Sequence, residues 1–131
     1  MLANPTIPNH YSQSILIVDD NDMLLELLVN GFEMFGFNVW KADNGLDAWN
    51  LFNSEPVDIV LTDIQMPGLD GIELSKRIRN QSPHTKVALM TGGQTDAAEE
   101  LLKDETVNYL FKKPFSLSFV GKYFKAEAQM M

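Results

Sequence analysis

Four apolar runs in this chain end on polar side chains of kinds that can do chemistry together. Ser14-Ile15-Leu16-Ile17-Val18 runs into Asp19-Asp20-Asn21, and Val57 to Leu61 runs into Thr62-Asp63. Lys86 to Met90 ends on Thr91-Gly92-Gly93, and Val107 to Phe111 ends on Lys112-Lys113-Pro114. Three carboxylates in one crevice repel one another, so either their pKa values rise or a cation neutralises them. With oxygen ligands only, that cation is a hard one, and Mg²⁺ with a few retained waters suits so few carboxylates. The Thr91 hydroxyl could donate to a phosphoryl oxygen, and Lys113 could supply a positive charge from the other side. The set is one nucleophilic carboxylate (Asp63), one metal, one hydroxyl and one cation. Forming an acyl phosphate requires those parts.

Each piece alone is weak. Asp19-Asp20-Asn21 is also a common way to start a helix, and Asp63 before Met66-Pro67-Gly68 could merely cap a turn. Thr91-Gly92 alone is a loop, and lysines such as Lys113 are mostly solvated. All four fall at the carboxyl ends of strands one, three, four and five, and together they specify one site.

The elements that must position these groups alternate regularly. Val57 to Leu61 is rich in β-branched residues, which suits a strand buried on both faces of a parallel sheet. A helix is expected from Asp22, with Leu24, Leu28 and Phe35 near helical spacing and Gly36 ending it. Phe37 to Ala42 reads as the second strand and Asn44-Gly45 as a turn. Leu46 to Phe52 reads as a short helix burying Leu46, Trp49 and Phe52. A third helix is expected over Ile72 to Asn80, and a fourth from the Thr95 cap to about Asp104. The fourth has a thin apolar stripe (Ala97, Ala98, Leu101, Leu102), so it should be the least firmly docked. Ser116 is expected to cap a last helix through roughly Ala128. Residues 1–13, with Pro5, Pro8 and His10, read as a loose arm, 14–128 as one domain and 129–131 as a tail.

Five strands alternating with helices predict an α/β fold with a parallel sheet covered on both faces. The flavodoxin-like doubly wound (βα)5 order 2-1-3-4-5 opens its crevice between the ends of strands one and three. Asp19-Asp20 and Asp63 stand at those two ends. The fold and the acid cluster agree without either assuming the other.

Composition narrows the class. At 131 residues and 45% hydrophobic content the chain is one domain with a proper core. A net charge of −8 makes it a poor direct binder of nucleic acid or anionic membrane. It has no cysteine, hence no disulfide or thiolate metal site. No leader-like segment or membrane-length apolar run stands out, so a cytoplasmic location is expected.

The motifs Ile15-Leu16-Ile17-Val18-Asp19-Asp20, Leu61-Thr62-Asp63-Ile64-Gln65-Met66-Pro67-Gly68-Leu69-Asp70-Gly71, Met90-Thr91-Gly92 and Lys113-Pro114-Phe115 together resemble a response-regulator receiver domain (CheY-like) of two-component signalling. The resemblance covers residues 14–128. It implies that Asp63 accepts a phosphoryl group from a histidine kinase or phosphotransfer protein. Asp20 and Asp63 would hold Mg²⁺ directly and Asp19 through water, with the backbone carbonyl of Gln65 completing the protein ligands. Thr91 would be the switch hydroxyl, and Lys113 would bind phosphate before a cis-peptide candidate at Pro114. Two positions depart from the family pattern. The family's switch aromatic, three residues before the lysine, is Leu110 here; Tyr109 is the nearest candidate, and strand parity points it to the other face. Position 93, which with position 65 tunes dephosphorylation in the family, is glycine. With no effector module after Met131, output is expected through a downstream protein partner or a homodimer, using the fourth helix, fifth strand and last helix.

Other classes are weaker. An aspartyl-phosphate phosphatase of the haloacid-dehalogenase type needs an acid two residues after its nucleophile, where this chain has Gln65. A binding-only receiver loses the acids or the lysine, all present here. A flavin module would need a phosphate cradle where Asp19-Asp20 would repel phosphate.

Overall fold

Each apolar run forms a strand, though not always where the run begins. The computed structural model describes residues 13–93, 95–118, 120–121 and 124. The strands are β1 (Ser14–Val18), β2 (Asn38–Ala42), β3 (Ile59–Asp63), β4 (Lys86–Thr91) and β5 (Tyr109–Lys112). They form one parallel sheet in the order β2-β1-β3-β4-β5. Between them lie α1 (Asp22–Met34), α2 (Gly45–Ser54), α3 (Gly71–Gln81) and α4 (Asp96–Lys103). Residues 117–118, 120–121 and 124 are also helical. The expected arm, His10, the tail and the end of the last helix lie outside the described residues.

Strand alternation sorts the core into two layers. Ile15, Ile17, Ile59, Leu61, Ala88 and Met90 pack with Leu25, Leu28 and Phe32 of α1 and with Val120 and Phe124. Leu16, Val18, Val60, Val87 and Leu89 pack with Ala48, Leu74, Ile78, Ala98 and Leu101 from α2, α3 and α4. β1 and β3 have no exposed apolar side chain. Each fully buried aliphatic there contributes about 1.5–3 kcal/mol, which makes the two central strands the rigid mount for whatever follows them.

Several boundaries and faces differ from the sequence expectation, each for a local reason. The buried stripe of α1 is Leu25, Leu28 and Phe32, with Leu24 and Phe35 only half-buried. The helix starts at Asp22 as expected, capped by Asn21, whose side chain accepts the Leu24 N–H, and Phe35 falls at its C-cap. Gly36 then turns the chain at φ +94°. In α2 the buried residues are Gly45 and Ala48, while Leu46 is 58% exposed. Asn44 is the N-cap of this helix rather than part of a free turn. The helix lies so close to the loop before α3 that a Cβ at Gly45 would stand 1.9 Å from the Leu69 carbonyl oxygen. Small residues therefore take the inner face. Trp49 and Phe52 are half-buried and stacked at 6.1 Å, with the Arg77 guanidinium over the Trp49 ring.

β3 begins at Ile59; just before it, the Asp58 N–H donates to the Ser14 carbonyl at 3.1 Å and its carbonyl accepts the Lys86 N–H at 3.0 Å, while its carboxylate accepts the Ser14 N–H and hydroxyl at 2.9 and 3.1 Å. β5 begins at Tyr109 rather than Val107. Val107 is buried, but its N–H still donates to the Leu101 carbonyl at 3.1 Å, so the chain there is leaving α4. α4 buries only Ala98 and Leu101; Ala97 is exposed, and Leu102 is partly so.

Candidate functional site

The doubly wound order puts the ends of β1 and β3 side by side, and both ends carry acids. Asp19 is fixed at the end of β1 by its N–H, which donates to the Ala42 carbonyl at 3.2 Å. Its carboxylate accepts the Asn21 N–H at 2.9 Å. The turn that caps α1 thus also holds the buried acid. Asp20 follows, exposed to solvent. Asp63 closes β3, with the Ile64 N–H donating to its Oδ1 at 3.0 Å. The Ile64 carbonyl accepts the Gly71 N–H at 2.8 Å, which folds the Met66–Asp70 loop back on the strand end. A Cβ at Gly71 would lie 2.1 Å from the Asp63 carbonyl oxygen. Only glycine lets α3 start this close to the acid.

β5 delivers the cation. The Lys113 N–H donates to the Thr91 carbonyl at 2.7 Å, holding its backbone beside the end of β4. The Lys113 Nζ then stands 3.2 Å from Asp19 Oδ2 and 3.5 Å from Asp63 Oδ1. The Lys113–Pro114 peptide bond is cis. Thr91 is buried, and its hydroxyl donates to the Gly93 carbonyl at 2.7 Å while accepting the Gly93 N–H at 3.1 Å. The groups line a cleft of about 900 Å³, which also includes Gln65, Met66 and Asp70.

The electrostatics of this cleft are unbalanced. Burial pushes the Asp63 carboxyl above the usual carboxylate range. The Lys113 charge pulls it back, the Asp19 charge raises it further, and the Ile64 N–H lowers it. One oxygen from each of Asp19, Asp20 and Asp63 lies within 4.8 Å of the others. Three carboxylates against one lysine leave two negative charges, which one divalent hard cation would neutralise. The donor set therefore fits Mg²⁺.

The structure brings Asp19, Asp20, Asp63, Gln65, Thr91 and Lys113 to one cleft and leaves Tyr109 out. Tyr109 stacks on Phe111 at 6.0 Å and meets Phe124 edge-on at 5.4 Å, in the layer of α1. Leu110 packs in the opposite layer, with α4. Sequence reasoning missed the two glycines that set the loop. The Asn44-Gly45 signal was visible, but a turn and a close helix contact use the same residues. The backbone donors at Asn21 and Ile64 have no side-chain signature at all.

Comparison with known proteins agrees with this arrangement. Residues 15–120 match the family described as "Response regulator receiver domain". The chain is 36% identical over 107 residues to sporulation initiation phosphotransferase F of Bacillus subtilis, covering 81% of this chain and 86% of that protein. It is 40% identical over 104 residues to the regulatory protein AtoC of Escherichia coli, 79% of this chain but only 22% of that longer protein. A CheY-like receiver domain protein from Methanospirillum hungatei superposes with a TM-score of 0.85 at 22% identity, covering 91% of this chain and 95% of that one, and so shares its fold. Fold, acids and sequence matches lead to one conclusion: the chain belongs to the response-regulator receiver domain family of two-component signalling.

Proposed function

We propose that this receiver, over residues 14–128, accepts a phosphoryl group on Asp63 from the phosphohistidine of a histidine kinase or phosphotransfer protein. The observation that carries the reading is the Lys113 ammonium lying between Asp19 and Asp63 in a cleft of three converging carboxylates. The contacts to the Asp63 carboxylate fall on Oδ1, so Oδ2 is the oxygen assigned to attack. Oδ2 forms the new O–P bond as the donor's N–P bond breaks, and the imidazole leaves with the electron pair. Lys113 stabilises charge on the transferred oxygens. Asp19, Asp20, Asp63 and the Gln65 backbone carbonyl would hold Mg²⁺, which supplies further charge neutralisation. Gln65 cannot act as the acid that a phosphatase needs two residues after its nucleophile, which favours storing the phosphoryl group over rapid turnover.

The product adds about −1.5 to −2 charges at Asp63. Thr91 would then turn its hydroxyl from Gly93 to a phosphoryl oxygen, and α4 would shift. The surface around α4, β5 and the last helix is the one assigned to a downstream partner or a second copy. Its shift is bounded by how differently the phosphoryl group interacts with the two states. An aromatic at Tyr109 takes no part, because it lies in the other layer. Among the described residues no helix is long and apolar enough to cross a membrane. We place the protein in the cytoplasm, reading protein partners rather than nucleic acid.

The test is intact mass after incubation with Mg²⁺ and acetyl phosphate. The wild type should gain one phosphoryl group, and the gain should vanish in Asp63→Asn and with EDTA. No gain with acetyl phosphate and none with a phosphorylated histidine donor would refute the assignment and favour a binding-only receiver.

A further inference from the structure

The far end of α4 is held quite differently from the end that faces the cleft. Arg79, in the last turn of α3, spreads its guanidinium over four acceptors. Its Nε donates to the Thr106 carbonyl at 3.0 Å, and Nη1 donates to the Ser82 and Pro83 carbonyls, each at 3.0 Å. Its Nη2 donates to Asn108 Oδ1 at 2.9 Å. That same Asn108 oxygen accepts the Val87 N–H at 2.8 Å, and the Asn108 N–H donates to the Val87 carbonyl at 2.8 Å. One side chain thereby ties the exit of α4 to the end of α3 and the start of β4. The turn itself is stiff. Asp104 accepts the Thr106 N–H at 3.0 Å, and Glu105 holds a left-handed φ of 65°, a conformation that costs a residue with a Cβ energy unless its surroundings enforce it.

At the cleft end, among the described residues, the side-chain hydrogen bonds run within residues 91–98. Thr91 holds Gly93, and the Thr95 hydroxyl accepts the Ala98 N–H at 2.9 Å. A Cβ at Gly92 or Gly93 would meet nothing within 4 Å. Between the two ends α4 buries only Ala98 and Leu101. A short helix anchored at one end and joined to glycines at the other moves by rotation about the anchored end.

We propose that Arg79 is a positioning residue that makes residues 104–108 a fixed pivot. Release of the Thr91–Gly93 bond then swings the cleft end of α4 instead of sliding the whole helix along the sheet. The pivot deepens the phosphoryl-switch reading but does not need it, since any change that breaks the Thr91–Gly93 bond should produce the same motion.

Hydrogen exchange on the full chain, read by mass spectrometry, tests this with two triggers: acetyl phosphate with Mg²⁺, and the substitution Thr91→Val. With Arg79 present, each trigger should raise exchange over residues 92–98 by about tenfold and leave 104–108 within about twofold, as expected for opening of a local unit. In Arg79→Ala, and less so in Asn108→Ala should Arg79→Ala fail to fold, the trigger-dependent change should spread to 104–108. A purely structural Arg79 would raise exchange at 104–108 equally with and without the trigger, and that outcome would overturn the proposal. So would a wild type in which either trigger loosens both ends alike. The intact mass of the same samples reports phosphorylation separately. A missing phosphoryl group with a normal Thr91→Val response would sink the switch reading and leave the pivot standing.

Discussion

The two edges of the sheet treat charge in opposite ways. At the carboxyl edge, three acids face one lysine, and burial pushes the Asp63 carboxyl upward despite that lysine. At the amino edge, the Arg79 guanidinium finds four acceptors, and Asp58 accepts two donors from Ser14. One edge stores unmatched negative charge that a divalent cation would neutralise; the other spends its polar groups on tying strands and loops together. A single fold thus keeps unmatched charge where chemistry is wanted and matched polar groups where rigidity is wanted.

The contrast can be broken most severely at the carboxyl edge. Lys113→Ala should lower the rate of labelling by acetyl phosphate about a hundredfold, the scale of losing one preorganised charge at a transition state. Rates from timed intact-mass spectra check it, and a loss below about threefold would contradict the role given to the lysine.

At the amino edge the loss should appear in stability instead. Arg79→Ala removes one donor from each of three carbonyls and from Asn108 Oδ1, which keeps the Val87 N–H, and should cost about 2 kcal/mol in urea unfolding. Labelling by acetyl phosphate should change far less than in Lys113→Ala.

Two glycines near the cleft sharpen the comparison within one edge. Gly45→Ala drives a Cβ against the Leu69 backbone and should cost about 1–3 kcal/mol. Gly92→Ala meets open space and should stay within about 0.5 kcal/mol of wild type. Thermal melts of the pair suffice.

The smallest effect is a matter of pH. The folded chain holds the Asp63 proton more tightly than the unfolded chain does, because burial raises that carboxyl. Stability therefore falls as pH rises from the ordinary carboxylate range through the raised value, and the cost persists above it. Asp63→Asn lacks this ionisation. In metal-free buffer its Tm should exceed that of wild type at neutral pH, and the gap should close toward acid.

The sheet order and the acid cluster were legible because apolar runs ending in Asp are long-lived signals at the scale of five residues. Which face a helix buries was less so. The pattern over Leu46 to Phe52 puts Leu46 inside, yet the contact of Gly45 with Leu69 hands the inner face to Ala48. Val107 is apolar and buried like a strand residue, but its N–H belongs to the turn leaving α4. Arg79 offered no signal: a basic residue in the last turn of a helix ordinarily answers the helix dipole. Its work here is done across distances of 27 and 29 residues, which no local pattern encodes.

The open space beside Gly93 has a practical use. The sequence contains no cysteine, so Gly93→Cys would create a unique thiol at a position where a Cβ meets nothing within 4 Å. A maleimide dye attached there would ride on the loop that Thr91 holds. Its emission would report in real time whether the proposed switch moves that loop, without a partner protein in the cuvette.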